Sequence, residues 1–517
     1  LFLTYEYCFY ERQVKHNYIF GNRKQNNIEL FSNSTTLVLT NLNKQFILNL
    51  VSVKINSAKG CAMFIGREKE LAIIKKALSK NTASVMVYGK RKVGKTTLIT
   101  HALKKDANKT VYYECLKAPM KDNVDGLISV LLAAKVLPVR MSFDNFIDLF
   151  AYLNTLPETF NIVIDEYPYM KEFTPAKTVD SMFQSIIDNH IKNIRLFISG
   201  SHISIMKDLL EEGNALYGRF DSVICLKELD YKITAQFYAD KTPYDKAAMY
   251  AVFGGSPFVN ELLHPKESLE QNIISTILNP SSAIFHYADN LLISDLSTSS
   301  NAERILFSIA NGKKKYSEIE SKLSMDGNGL LSKQLKVLLN MELVSKVAPI
   351  NKPNNNKMAR YELTDNLLRF FYTYVYSNKS ALQVLGAEAF YEAYIKESLI
   401  TFISYRFEDI CRSYFSMQVQ SGKRKGILNI GTFYYDDAKA KKNGEFDVVI
   451  KTKTAFDIYE AKYLASPMTD KQIETEIMQV QAIPELKIGT IGFISINGFE
   501  SVHPGIPCLD GNDLYED

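Results

Sequence analysis

A short apolar, β-branched run, Ser84–Tyr88 (SVMVY), ends in GKRKVGKT, Gly89 to Thr96, and is followed by a helical stretch, Thr97–Lys105. Strand, glycine-cornered loop and helix in that order form a phosphate cradle. Gly89 and Gly94 let backbone N–H groups curl around phosphate oxygens, and Lys90, Arg91, Lys92, Val93 and Thr97 complete the binding segment. Lys95 supplies a point charge to the outer phosphates, and the Thr96 hydroxyl is a candidate Mg²⁺ ligand. The loop predicts ATP or GTP as ligand and an α/β fold with a parallel sheet.

Downstream, Asn161–Ile164 reads as a buried strand ending in Asp165-Glu166, which places both carboxylates at the strand's C-terminal end, where ligands sit in open α/β sheets. Asp165 is expected in the magnesium shell, and Glu166 is expected to accept a proton from the water attacking the terminal phosphate. A third strand, Ile194–Ile198, ends in Ser199-Gly200-Ser201; Ser201 either orients that water or caps the following helical segment, Ile203–Leu210. Tyr217-Gly218-Arg219 precedes the strand Ser222–Leu226. Arg219 either reaches phosphate charge, in its own or a neighbouring subunit of a homo-oligomer, or forms a surface salt bridge.

FIGREKEL, GKRKVGKTTLI, NIVIDEYPYM, LFISGSHISIM, LYGRF and VFGGSPFV, in unbroken order from Met63 to Leu278, resemble the AAA-type ATPases of the archaeal ATPase family, which also occur in bacteria. The resemblance implies an AAA/ASCE-type P-loop core, hydrolysis served by Lys95, Asp165 and Glu166, and adenine as the base. No N-K-x-D guanine-reading motif follows the phosphate loop. Gly254-Gly255-Ser256-Pro257, within the helical region Tyr231–Leu278, fits the family's small lid, with Pro257 opening a helix.

Between Asn301 and Tyr376, amphipathic helices near Ala302–Asn311, Tyr316–Leu323 and Gly329–Met341 precede two strands, Leu343–Ile350 and Met358–Thr364, joined by NKPNNNK. That order predicts a winged helix-turn-helix with Leu331, Leu335 and Leu338 inward and Lys333, Gln334 and Lys336 outward. The segment holds twelve basic and seven acidic residues; Lys313, Lys314 and Lys315 cluster at one turn, and Lys352 and Lys357 flank the wing tip. The charge predicts either contacts to DNA phosphates or a solvated face.

Beyond Ser377, Phe446–Ile450 and Ala455–Tyr463 read as a β-hairpin carrying Asp447 on one strand and Glu460 and Lys462 on one face of the next. Two acids can hold Mg²⁺ or Mn²⁺, a lysine can orient the attacking water, and Glu408, on the helical stretch Glu397–Tyr414, can complete the shell. FDVVI followed by YEAKY, with RFEDICRSYF upstream, resembles the PD-(D/E)xK restriction-endonuclease-like domain. The resemblance implies catalytic Asp447, Glu460 and Lys462. A non-cleaving role and a plain salt-bridged hairpin are the alternatives.

With 517 residues, the chain has room for three to four domains. The expected divisions are residues 1–62, 63–230 (P-loop core), 231–298 (lid), 299–376 (winged helix) and 377–517 (nuclease-like). Residues 1–62 hold nine Asn and sustain no amphipathic period, whereas Met63 directly precedes FIGREKEL. Natural translation is therefore expected to start at Met63, the alternative being a strand-rich appendage. No apolar run is long enough to span a bilayer, and six scattered Cys without a C-x-x-C pair point to reduced thiols in the cytoplasm. The whole predicts an ATPase coupling nucleotide state to DNA binding and metal-dependent cleavage. Its rivals are a nucleotide-controlled scaffold and a transcription regulator.

Overall fold

The apolar runs around the phosphate loop become a five-stranded parallel sheet in the order β2-β3-β4-β1-β5. Its elements in chain order are α1 (Glu68–Leu78), β1 (Ala83–Tyr88), α2 (Lys95–Leu103), β2 (Lys109–Glu114), α3 (Met120–Ala133), α4 (Phe146–Leu153), β3 (Phe160–Asp165), α5 (Ala176–Asn189), β4 (Ile194–Gly200), α6 (Ile203–Asp208) and β5 (Ser222–Cys225). The computed structural model describes residues 64–290, 301–324, 329–437, 442–483 and 486–516, so the expectation about residues 1–62 lies outside the described residues.

Strands β1, β3 and β4 are buried along their whole length, as a parallel sheet covered on both faces requires. Because side chains alternate, Met86 and Tyr88 enter the core formed with α3, α4 and α5, while Val85 and Val87 enter the one formed with α1 and α2. The order puts β4 between β1, which feeds the phosphate loop, and β3, which carries the acids. This is the AAA/ASCE-type arrangement anticipated above.

The lid includes α7 (Pro243–Phe253), α8 (Pro257–Asn260) and α9 (Ala283–Asn290). Thr242 caps α7 by accepting from the Asp245 N–H, and Pro243 and Pro257 occupy first-turn positions where a missing N–H costs nothing. Gly255 is required by close approach: a Cβ there would lie 1.9 Å from the Leu229 carbonyl oxygen.

Next come α10 (Ala302–Ala310), α11 (Tyr316–Leu323), α12 (Leu330–Asn340), the antiparallel pair β6 (Val344–Val347) and β7 (Arg360–Leu363), and α13 (Asn366–Phe370). Leu331, Leu335 and Leu338 are buried as expected, and Lys333 and Lys336 are exposed. Gln334 instead is half-buried. The connector between β6 and β7 does not project freely. Ile350 N–H donates to the Thr432 carbonyl at 2.8 Å, and Asn351 exchanges two hydrogen bonds with the Tyr434 backbone.

The C-terminal part holds α14 (Lys379–Leu385), α15 (Ala387–Tyr394), α16 (Lys396–Gln420), β8 (Ile427–Asp437), β9 (Lys442–Thr452), β10 (Phe456–Lys462), α17 (Asp470–Gln481), β11 (Ile488–Ser495), β12 (Cys508–Leu509) and α18 (Gly511–Tyr515). The anticipated hairpin is β9–β10, the centre of a five-stranded sheet ordered β12-β11-β10-β9-β8. One hydrophobic cluster runs from lid residues such as Tyr231 and Phe253 through Phe407 and Cys411 of α16 to Tyr459 and Leu514. Lid and C-terminal sheet thus share a core.

Candidate nucleotide site and C-terminal acid cluster

The phosphate loop is shaped by its glycines. Gly94 sits at φ +95°, a left-handed conformation unfavourable with a Cβ, and a Cβ on Gly89 would fall 2.2 Å from the Leu226 carbonyl oxygen. The buried Lys95 ammonium donates to the carbonyls of Gly89 at 3.1 Å and Lys90 at 3.0 Å. Arg67, from the FIGREKEL segment, donates to the Val93 carbonyl at 3.1 Å and braces the loop from behind.

Asp165 faces this loop. Its Oδ2 accepts from the Thr96 hydroxyl at 2.8 Å and from the Tyr112 hydroxyl, and its Oδ1 accepts from Ser199 Oγ at 2.5 Å and the Glu166 N–H at 3.0 Å. A buried carboxylate needs such partners. The donor set fits magnesium in its chemistry, since the Thr96 hydroxyl and the Asp165 carboxylate are hard oxygen donors brought together at the phosphate loop. Tyr112 and Ser199 were not singled out in the sequence; they reach Asp165 only through the pairing of β2 with β3 and β3 with β4.

Glu166 holds φ +51°, ψ +43°, uncommon for a non-glycine residue and typical of a functional turn. Its Oε2 accepts from Ser201 N–H at 3.1 Å and Ser201 Oγ at 2.8 Å. Ser201 therefore acts on the glutamate. The capping alternative is corrected, since His202 holds the N-cap of α6.

Arg219 stands at the other end of the sheet from the phosphate loop. Its carbonyl accepts from Ser84 Oγ at 2.8 Å, at the start of β1, whereas the loop follows the strand's far end, roughly 17 Å away at ~3.3 Å per residue. Its guanidinium pairs with Asp188 at 3.1 Å. The salt-bridge reading holds within this chain, leaving only a neighbouring copy's phosphates within its scope.

Lys90 turns out of the loop toward the winged helix. Its ammonium donates to Thr364 Oγ1 at 3.1 Å and lies 3.6 Å from Glu228 and 4.0 Å from Asp365. Burial, with the charge of Asp365, pushes the Glu228 carboxyl up to about 7. Arg91 and Lys92 keep their carbonyls engaged, by Tyr287 OH at 3.3 Å and Ser256 Oγ at 3.3 Å, and the Lys92 ammonium lies 4.6 Å from the Phe258 ring centre. The turn after α12 is gripped as well: Glu342 accepts from Lys207 at 2.8 Å and pairs with Lys227. Between these elements lies a cavity of ≈ 40 Å³, lined by Lys90, Arg91, Ser201, His202, Met341 and Leu343 among others.

In the C-terminal sheet, the β9–β10 register pairs Tyr459 with Val448, and its continuation sets Glu460 opposite Asp447. Burial and the charge of Asp447 push Glu408 up to about 9, and burial and Glu445 push Asp447 up to about 6. Asp447 thus lies within electrostatic reach of Glu408 and of Glu460. Lys462, however, pairs with Glu460 at 2.7 Å and with Glu476 of α17 at 3.0 Å; Glu476 had not been foreseen. Among the described residues, no group of three His, Cys, Asp or Glu is gathered closely enough to hold a metal ion. This arrangement does not fit a preformed metal centre.

Comparison with known proteins now bears on this geometry. Residues 64–261 match the family described as an ATPase domain predominantly from Archaea, and residues 371–475 match one described as archaeal and bacterial proteins of unknown function. An uncharacterized protein of Methanocaldococcus jannaschii is 30% identical over 326 residues, 62% of this chain and 71% of that protein. The chain belongs to the archaeal-type ATPase family. Solved structures similar to this ATPase include the Walker-type ATPase of Pyrococcus abyssi (17% identity, 60% of this chain and 96% of that one, TM-score 0.43). The ORC2 protein of Aeropyrum pernix is another (14% identity, 61% and 93%, TM-score 0.40). Among the described residues of the ATPase, no helix is long and apolar enough to cross a membrane.

Proposed function

We propose that this ATPase couples the state of its bound nucleotide to DNA binding by the winged helix. The observation that carries the reading is the direct tie between them: Lys90 of the phosphate loop bonded to Thr364, and Glu342 after α12 clamped by Lys207 and Lys227. Gain or loss of a terminal phosphate beside Lys90 and Ser201 alters the surface on which Met341 and Leu343 rest.

In hydrolysis, Ser201 fixes one oxygen of Glu166, leaving the other to accept a proton from water as it attacks in line. Lys95 leaves its two backbone carbonyls for the phosphate oxygens, and the loop N–H groups stabilise charge on the transferring group. Thr96 and Asp165 would hold magnesium, which would supply charge neutralisation to the phosphates.

The test is fluorescence anisotropy of a labelled duplex with ATP-loaded Glu166→Gln protein and with ADP-loaded wild type. The reading expects affinities differing about 5-fold or more, a difference that Glu342→Ala abolishes. Equal affinities in both states contradict it. Tight, salt-resistant binding to one sequence regardless of nucleotide favours the transcription-regulator alternative, and absence of duplex binding favours the scaffold.

A second reading, phosphodiester cleavage by Asp447, Glu460 and Lys462 with Glu408, is supported by the register that sets Asp447 opposite Glu460. It requires Lys462 to leave Glu476 and the acids to converge on Mg²⁺ or Mn²⁺. Plasmid nicking in Mg²⁺ or Mn²⁺ that is lost in Lys462→Ala supports it; equal cleavage by both proteins removes it.

A further inference from the structure

We propose that the cavity between the winged helix and the C-terminal sheet is a phosphate-binding site that seats a backbone phosphate of duplex DNA, an inference resting on the DNA-binding reading above. The cavity is ≈ 240 Å³ and is lined by Lys315, Pro349, Lys352, Met358, Arg360 and Tyr434.

Lys315 and Arg360 are partners in an antiparallel β-bridge, and like charges directly opposite each other destabilise a sheet unless an anion lies between them. The third cation is held in place: Ile350 and Asn351 pair with β8, and the Lys352 ammonium lies 5.4 Å from the Tyr434 ring centre. Glu445 offsets one of the three charges, accepting from Arg360 at 2.5 Å. The neighbouring Lys314 has its own acid, Glu362, at 3.6 Å. Among the described residues, neither Lys315 nor Lys352 forms an ion pair.

A planar guanidinium flanked by two ammonium groups and a phenol suits an oxyanion with several accepting oxygens, as phosphate has. Its location selects a nucleic-acid phosphate. The cavity opens at the wing connector, on the side of the lysine-rich turn before α11, and Glu445 stands two residues from Asp447 on the same face of β9.

The experiment is a salt titration of duplex binding, followed by anisotropy, on full-length wild type, K315Q/K352Q, K315R/K352R and the helix variant K333Q/K336Q. The site predicts that K315Q/K352Q lowers the slope of log affinity against log salt by about one, that K315R/K352R retains the wild-type slope, and that ATP turnover stays unchanged in both. Wild-type binding weakened by K333Q/K336Q but untouched by K315Q/K352Q overturns this site alone, whereas no duplex binding by wild type overturns the DNA reading on which it rests. Calorimetry with inorganic phosphate forms the second arm: phosphate binding lost in K315Q/K352Q with DNA affinity unchanged marks a small-anion site and overturns the nucleic-acid assignment.

Discussion

Ser201 and Arg219 both follow glycine at strand-edge turns, and the sequence favours neither. Their difference arises from strand direction, because in a parallel sheet the C-terminal tip of β4 lies beside the acids while the start of β5 lies at the opposite end. Ser201→Ala removes the hydroxyl bond to Glu166 and leaves only the one from the backbone N–H of residue 201, and kcat for ATP is expected to fall by up to about 10²-fold with KM little changed; a change confined to KM contradicts the positioning role. Arg219→Ala breaks a partly exposed pair with Asp188, so chemical denaturation is expected to show a loss of no more than about 1 kcal/mol. Lys95, Thr96, Asp165 and Glu166 were legible because their motif is local and chemically restrictive. Tyr112, Ser199 and Arg67 were not, since a tyrosine, serine or arginine becomes a site residue only through contacts made across the folded sheet.

Between elements, the most consequential contact joins the phosphate loop to the turn before α13. Glu228 is held there with Lys90 and Asp365, its carboxyl raised to about 7 by burial and by Asp365. Since this pKa is higher in the folded than in the unfolded chain, the protonated acid favours folding. Its contribution is complete below the ordinary glutamate range and is lost as pH rises through about 7. Melting curves between pH 5 and 8.5 should therefore show Glu228→Gln gaining on wild type as pH rises; a constant difference across that range contradicts the assignment. Helix and strand periods gave away the three helices and two strands of the winged helix, because burial of Leu331, Leu335 and Leu338 imposes a repeat on the sequence. Docking of its connector on β8 carries no such signature: Ile350 pairs through a backbone N–H that any residue but proline offers, and Asn351 through a single side-chain amide with no repeat to mark it.

Across the whole molecule, the lid and the C-terminal sheet are stabilised as one body, since Phe253, Phe407 and Tyr459 lie in a single cluster. Phe407 is fully buried, and Phe407→Ala is expected to cost about 3–5 kcal/mol. Limited proteolysis of that variant should open lid and C-terminal sites together; cleavage confined to the C-terminal sheet contradicts a shared core. The central claim remains the meeting of the phosphate loop with Asp165 and Glu166 across the Thr96–Asp165 contact. Single-turnover cleavage of γ-labelled ATP by Glu166→Gln tests it most directly. The account predicts stoichiometric ATP binding with cleavage slowed about 10²–10⁴-fold relative to wild type, whereas cleavage at the wild-type rate would contradict it.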